Sequence, residues 1–286
     1  MATASAYLLN TLPNIDRWHL KSIACQYKYF SKEGIKLNVL DKNHYLVRPM
    51  LDKPIHPMCR KIIRLYDFLD SGDDYGVFID LDTIVVNGKK SIHDFCVDGK
   101  SYIRNTTLLS RFKDVGWEDL PRYLKTRDCI HTVFKNGLSL DYDIDHTVNT
   151  GFTIISRELC ELILNRLEEF GLTLTKKSGI DNYIEFDSAV QRLYSDRGWP
   201  IPAPTIHDEH LLEIALNSAD EQNSPIKRVK STKDICTEGF EIRMSVDSNC
   251  LFDMSKLSQK DTIFLHLIAC FDTDALDGLF KIAGDF

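Results

Sequence analysis

The chain has 286 residues, of which 43% are hydrophobic and 27% charged, enough apolar material for one large α/β domain or two small ones. Its formal net charge of -7 argues against a nucleic-acid binder, which carries a basic stripe; the short run Lys227, Arg228 and Lys230 reads as a solvated loop or strand edge. No apolar run approaches the roughly 20 residues of a membrane span, and MATASAYLLNTL lacks a basic start followed by a long apolar stretch, so a soluble, cytoplasmic protein is expected.

In chain order, Ala6 to Leu12 (AYLLNTL) is a short apolar run ending in turn residues, which predicts a first strand. Asn14 to Tyr29 carries Ile15, Trp18, Ile23, Ala24 and Tyr27 at helical spacing behind Pro13. Ile35 to Leu40 predicts a second strand. Pro57 to Leu69 predicts an amphipathic helix with Ile62, Leu65, Tyr66 and Leu69 on one face. After the breakers SGDDYG, Val77 to Val86 reads as one apolar strand interrupted only by Asp80, Asp82 and Thr83. Two strands and two helices before a third strand are the pattern of a parallel, doubly wound sheet, where ligands sit beyond the carboxyl ends of the strands.

The second half is less regular. Asp145 to Ile155 predicts a turn and a buried strand, Arg157 to Phe170 a helix, and Tyr183 to Tyr194 another. GWPIPAP is an extended connection, and His207 to Asn217 (HDEHLLEIALN) a helix with acids in its first turn, where the dipole favours them. Residues 218 to 234 are polar and read as a surface loop. Thr262 to Ile268 predicts a strand containing His266, followed by an acidic helical tail. The eight cysteines show no metal-type spacing, and those in apolar segments, such as Cys160, are expected to be buried free thiols of a reducing compartment.

Two carboxyl groups in an apolar strand are costly unless something offsets their charge. Residues two apart on a strand face one way, so Asp80 and Asp82 would repel each other unless a cation lies between or beyond them. A hard divalent ion, Mn²⁺ or Mg²⁺, with phosphate oxygens completing the shell suits such a pair.

With FIDLD third in a βαβαβ run, VNTGFTIIS at Val148 to Ser156, the acidic HDEHLLEIALN and FLHL with His266, the chain resembles the GT-A fold of nucleotide-sugar-dependent glycosyltransferases, nearest to the retaining glycogenin-like families. That resemblance extends over most of the chain. It implies a Rossmann-like α/β domain spanning 1–286 with a mostly parallel central sheet flanked by helices, residues 1–90 forming the nucleotide-binding half and 91–286 the donor-sugar and acceptor half. Asp80, Asp82 and His266 would be the metal ligands. Leu9, Asn10, Thr11, Arg60, Arg64, Asp80, Leu81, Asn149, Thr150 and Gly151 would contact the nucleotide-sugar, and Asp208 and Glu209 would be the catalytic carboxyl groups. The implied reaction moves a hexosyl group from a nucleoside-diphosphate sugar, UDP by preference and GDP otherwise, to a hydroxyl of a glycan or other acceptor. Retention at the anomeric carbon is the implied course. One departure is plain: LIACFDTD follows His266, so the glycogenin-like HxxGxxKPW pattern is not matched.

Two other classes compete. A haloacid-dehalogenase-type phosphatase also reads hhhDxDxT, with Asp80 as nucleophile and Asp82 as acid and base, although Ile84 stands where that family has Thr or Val, and two strands precede the motif. The other is a non-catalytic module that binds a nucleotide or glycan. The cluster Asp141, Asp143 and Asp145 could meet acceptor hydroxyls or form a solvated turn.

Overall fold

The computed structural model describes residues 2–12, 14–53, 55, 57–106, 122–134, 147–174, 180–202, 205–217, 227–238 and 261–267. The Asp141, Asp143 and Asp145 cluster, the tail beyond residue 267, Cys250 and Cys270 lie outside them.

The first strand, β1 (Ala4–Asn10), is buried over Ser5 to Leu9 and pairs in parallel with β2 (Lys36–Asp41) on one side and β3 (Tyr75–Ile79) on the other. Helix α1 (Arg17–Lys32) connects β1 to β2, and α2 (Ile63–Ser71) precedes β3, giving the expected parallel βαβαβ unit. Gly72 ends α2 in the left-handed region at φ 82°, where a residue without Cβ is unstrained. Beyond β3 the sheet continues through β6 (Thr147–Ser156), antiparallel to β3, then β5 (Lys100–Thr106), antiparallel to β6, and β7 (Lys227–Val229), parallel to β5. The order is β2-β1-β3-β6-β5-β7, so β6 alone among these six strands runs against the rest, and strands from both sides of residue 90 share one sheet.

Alternate residues of β1 feed two apolar cores. Tyr7 and Leu9 face α2 and the later helices α4 (Arg157–Glu169), α5 (Ile180–Asp196) and α6 (Asp208–Asn217). Ala6 and Leu8 face α1, whose Tyr29 and Phe30 pack there with Phe264. The α/β class is therefore as expected, with a six-stranded, mostly parallel sheet flanked by helices on both faces. Helix α3 (Arg122–Phe134) and strands β5 and β7 have too little periodic contrast to be read from residues alone.

Three expectations are corrected. First, Val77 to Val86 is two strands rather than one. The backbone leaves the sheet after Ile79, the Thr83 N–H donates to the Asp80 carbonyl at 3.1 Å, and β4 (Thr83–Val85) starts a second sheet with β9 (Phe264–His266) and β8 (Cys236–Glu238). Keeping Asp80 and Asp82 inside a central sheet would strip both of solvent; a turn at the strand end does not. Second, Pro57 to Leu69 is not a uniform α-helix, because Cys59–Ile62 is wound as a 3₁₀ turn before α2. Third, the buried side of α1 is partly polar: Ser22 and Gln26 are fully buried, whereas Tyr27 is exposed. The six described cysteines carry free thiols, five of them buried, as expected.

Candidate active site

Asp80 and Asp82 lie in the turn between β3 and β4, and that turn is clamped from three directions. From the sheet, the Gly151 carbonyl on β6 accepts from the Asp80 N–H at 3.1 Å and from the Thr83 hydroxyl at 3.4 Å. From α1, the Gln26 amide donates to the carbonyls of Asp80 (3.1 Å) and Thr83 (2.5 Å), and the Ser22 hydroxyl donates to Thr83 at 2.8 Å. From β9, the Leu267 N–H donates to the Asp82 carbonyl at 2.9 Å. Carbonyls that would be orphaned by leaving the sheet are thereby satisfied.

The antiparallel pairing of β4 with β9 sets His266 opposite Thr83. His266 is 6% exposed, and its Nε2 lies 3.3 Å from the Asp82 Oδ1. The room for the ring comes from Gly151: a Cβ there would overlap the imidazole itself. One ligand atom each from Asp80, Asp82 and His266 falls within 4.8 Å of the others. A six-coordinate ion with bonds of about 2.1 Å spaces adjacent ligands about 3 Å and opposite ligands about 4.2 Å apart, so an ion would draw the three groups inward from the 4.8 Å within which they lie. Two carboxyl groups and an imidazole therefore form a donor set that could hold a divalent ion. Burial pushes the Asp82 carboxyl up, but the facing His266 and nearby Lys61 outweigh it and hold that carboxyl below its ordinary range.

Cations come from the segment before β3. Lys61 Nζ is 2.5 Å from Asp80 Oδ2 and 3.8 Å from Asp208 Oδ2. Arg64 donates to the Ile79 carbonyl at 2.8 Å and lies 3.4 Å from Asp80 Oδ1. Arg60 makes no ion pair among the described residues, and its Nε is buried without a hydrogen-bond partner. Three residues per 3₁₀ turn align 61 with 64, whereas α-helical winding would have aligned 60. Lys61 is thus the basic group missed in the sequence, its one signal being its spacing of three from Arg64.

Asp208 and Glu209 open α6, as expected. Asp208 is 1% exposed, and among the described residues neither carboxyl oxygen has a hydrogen-bond partner. Burial and the neighbouring Asp208 push the Glu209 carboxyl up to about 8, against the pull of Lys61 and of a hydrogen bond donated by the Thr150 N–H. A narrow cavity beside them is lined by Lys61, Arg64, Thr150, Thr153 and Asp208. Of the remaining predicted residues, Asn149 turns its Oδ1 back to accept from the Gly151 N–H at 3.0 Å. Leu9 is buried in the α2-side core, and Leu81 packs on the opposite one. Asn10 and Thr11 end and follow β1 beside the turn, and the buried Asn10 side-chain oxygen has no partner among the described residues. Helix α1 was read from the sequence, but its residues beside the site were not: His19 lies one turn before Ser22, close enough to Asp82 to feel its charge, and stacks on Trp18 at 3.6 Å.

No protein-family model matches the chain, and no curated protein matches its sequence. Among solved structures, it is similar over 98% of its length, and 99% of the other chain, to a glycosyltransferase involved in the glycosylation of the major capsid of PBCV-1, at 11% identity and a TM-score of 0.45. It is also similar to A197 from STIV, at 17% identity and a TM-score of 0.26, over 56% of this chain and 67% of that one. Among the described residues, no helix is long and apolar enough to cross a membrane.

Proposed function

We propose that this chain is a metal-dependent glycosyltransferase that moves a hexosyl group from a nucleoside-diphosphate sugar to a hydroxyl of a glycan or similar acceptor. UDP is the favoured nucleotide and GDP the alternative, and the sugar is transferred with retention. The observation that carries this reading is the convergence of Asp80, Asp82 and His266 at the carboxyl end of β3, with Asp208 bridged to the same cluster by Lys61. In an α/β sheet that crevice is where a nucleotide sits.

Asp80, Asp82 and His266 would hold Mn²⁺, for which a mixed oxygen and imidazole set is suited, or else Mg²⁺. The bound ion would neutralise the leaving diphosphate. Arg64, fixed to the Ile79 carbonyl, adds a positive charge that needs no reorganisation. Leu9, Asn10, Thr11, Leu81 and Arg60 would border the nucleotide, and Asn149, Thr150 and Gly151 the sugar. Asp208 would supply the carboxylate that stabilises an oxocarbenium-like centre. Glu209, whose carboxyl keeps its proton at neutral pH, donates a hydrogen bond instead of competing for that centre. Residues 1–90 serve as the nucleotide half, and 91–286 as the sugar and acceptor half of one domain.

The test is a thermal-shift screen with UDP and GDP sugars, each with and without Mn²⁺. A nucleotide-selective, metal-dependent rise in Tm that Asp82→Ala removes, together with release of nucleoside diphosphate, is expected. Hydrolysis of p-nitrophenyl phosphate with Mg²⁺ and no response to nucleotide-sugars would instead give the site to a phosphatase.

A further inference from the structure

We infer that Lys61 is an internal stand-in for the metal: it neutralises Asp80 while no divalent ion is held and moves onto Asp208 when one arrives. The inference rests on the metal-site reading above and adds a residue that controls it.

Two features distinguish Lys61 from its neighbour. Arg64 is tethered to backbone, donating to the carbonyls of Ile79 and Lys61, so its charge stays in place whatever Asp80 does. Among the described residues Lys61 Nζ pairs with carboxyl groups alone, Asp80 at 2.5 Å and Asp208 at 3.8 Å, at the end of a flexible four-carbon stem. The second position is already prepared. Among the described residues neither buried Asp208 oxygen has a hydrogen-bond partner, an expensive state for a carboxyl group unless it receives one. A charge-assisted bond to that group spans about 2.8 Å, so Lys61 reaches it by moving roughly 1 Å. A divalent ion on Asp80 would repel the ammonium and drive that shift, and the same shift would supply Asp208 with its missing partner.

Metal affinity is then set by a competition, and removing the competitor must strengthen binding. Free Mn²⁺, followed by its electron paramagnetic resonance signal, is titrated into the full chain without nucleotide. Lys61→Met is expected to bind Mn²⁺ about tenfold more tightly, about 1.4 kcal/mol, and Lys61→Gln to change in the same direction, whereas Lys61→Arg stays within about threefold of the native chain. Asp208→Asn removes the second position and is expected to weaken Mn²⁺ binding several-fold when Lys61 is present, but not in the Lys61→Met background. That coupling separates exchange between two carboxyl groups from a through-space effect of Asp208, which would be equal in both backgrounds. Native-strength or weaker binding by both Lys61→Met and Lys61→Gln, with the native chain binding Mn²⁺, overturns this inference and leaves the metal site standing. Absence of Mn²⁺ binding in the native chain and every Lys61 variant up to millimolar concentrations overturns both.

Discussion

Gly151 sits in the interior of β6, where a glycine weakens a strand for want of a side chain to pack, and the reason it is there is the His266 ring occupying the space of its Cβ. Gly151→Ala should therefore displace the imidazole before it disrupts the sheet, because a one-carbon overpacking in a strand costs about 1–3 kcal/mol. The expected outcome is a folded protein with Tm lowered by a few degrees and Mn²⁺ binding lost as fully as in His266→Ala. Native Mn²⁺ affinity in a folded Gly151→Ala protein would break the link between that glycine and the ligand. Glu209 gives a second residue-scale prediction, in pH. The unfolded chain releases this proton near the ordinary 4.5 and the folded chain near 8. Its contribution to stability is complete below pH 4.5 and is lost as the pH rises to 8, because ionisation in that window favours the unfolded chain. In metal-free buffer, Glu209→Gln should thus gain on the native chain by at least about 1 kcal/mol between pH 4 and pH 8. Melting curves that stay parallel from pH 5 to pH 9 would show that Glu209 carries no such burden.

At the level of elements, apolar patterning was enough to read β1, the first core strand of the Asp-containing run, β6, α4 and α6 to within a few residues, because each buries a continuous run or one stripe, and the edge strand β2 as well, although only its Leu40 is buried. It failed where polar groups are buried for a reason that lies elsewhere in the chain. Ser22 and Gln26 lie outside the apolar set of Ile15, Trp18, Ile23, Ala24 and Tyr27, yet they hold the carbonyls of Asp80 and Thr83 and are fully buried. The same blindness joined β3 to β4: the apolar residues on both sides of Asp80 and Asp82 are buried, but in two different sheets. Asp80 and Asp82 were legible because two acids in such a run are conspicuous. Lys61 was not, since a basic residue in an amphipathic segment is ordinary, and only the 3₁₀ winding of Cys59–Ile62 turns it toward Asp80. His266 was legible as a histidine in an apolar strand, but its approach to Asp82 depends on β9 crossing to pair with β4, a tertiary fact that no local pattern encodes.

At the scale of the whole molecule, the three candidate ligands join parts of the chain that local folding keeps apart. Asp80 and Asp82 leave the central sheet after β3, whereas His266 belongs to a strand near the end of the described chain, tied to the first half through the small sheet of β4, β9 and β8. An ion held by all three would act as a clasp between those parts, and its binding energy would appear as stability of the folded chain. At about one hundred times its dissociation constant, a ligand bound only by the folded state adds about 2.7 kcal/mol. For 286 residues, with an unfolding entropy of about 2.1 cal/mol/K per residue, that raises Tm by about 4 °C to 5 °C. The rise should be reversed by chelator and absent in His266→Ala. It should also be local: the Leu267 amide, which donates to the Asp82 carbonyl, reports on the joint, and its hydrogen exchange should slow with Mn²⁺ more than that of β1 amides in the central sheet. Stabilisation by Mn²⁺ that persists in His266→Ala, with no added protection at Leu267, would place the ion on the acidic turn alone and leave β9 without a part in holding it.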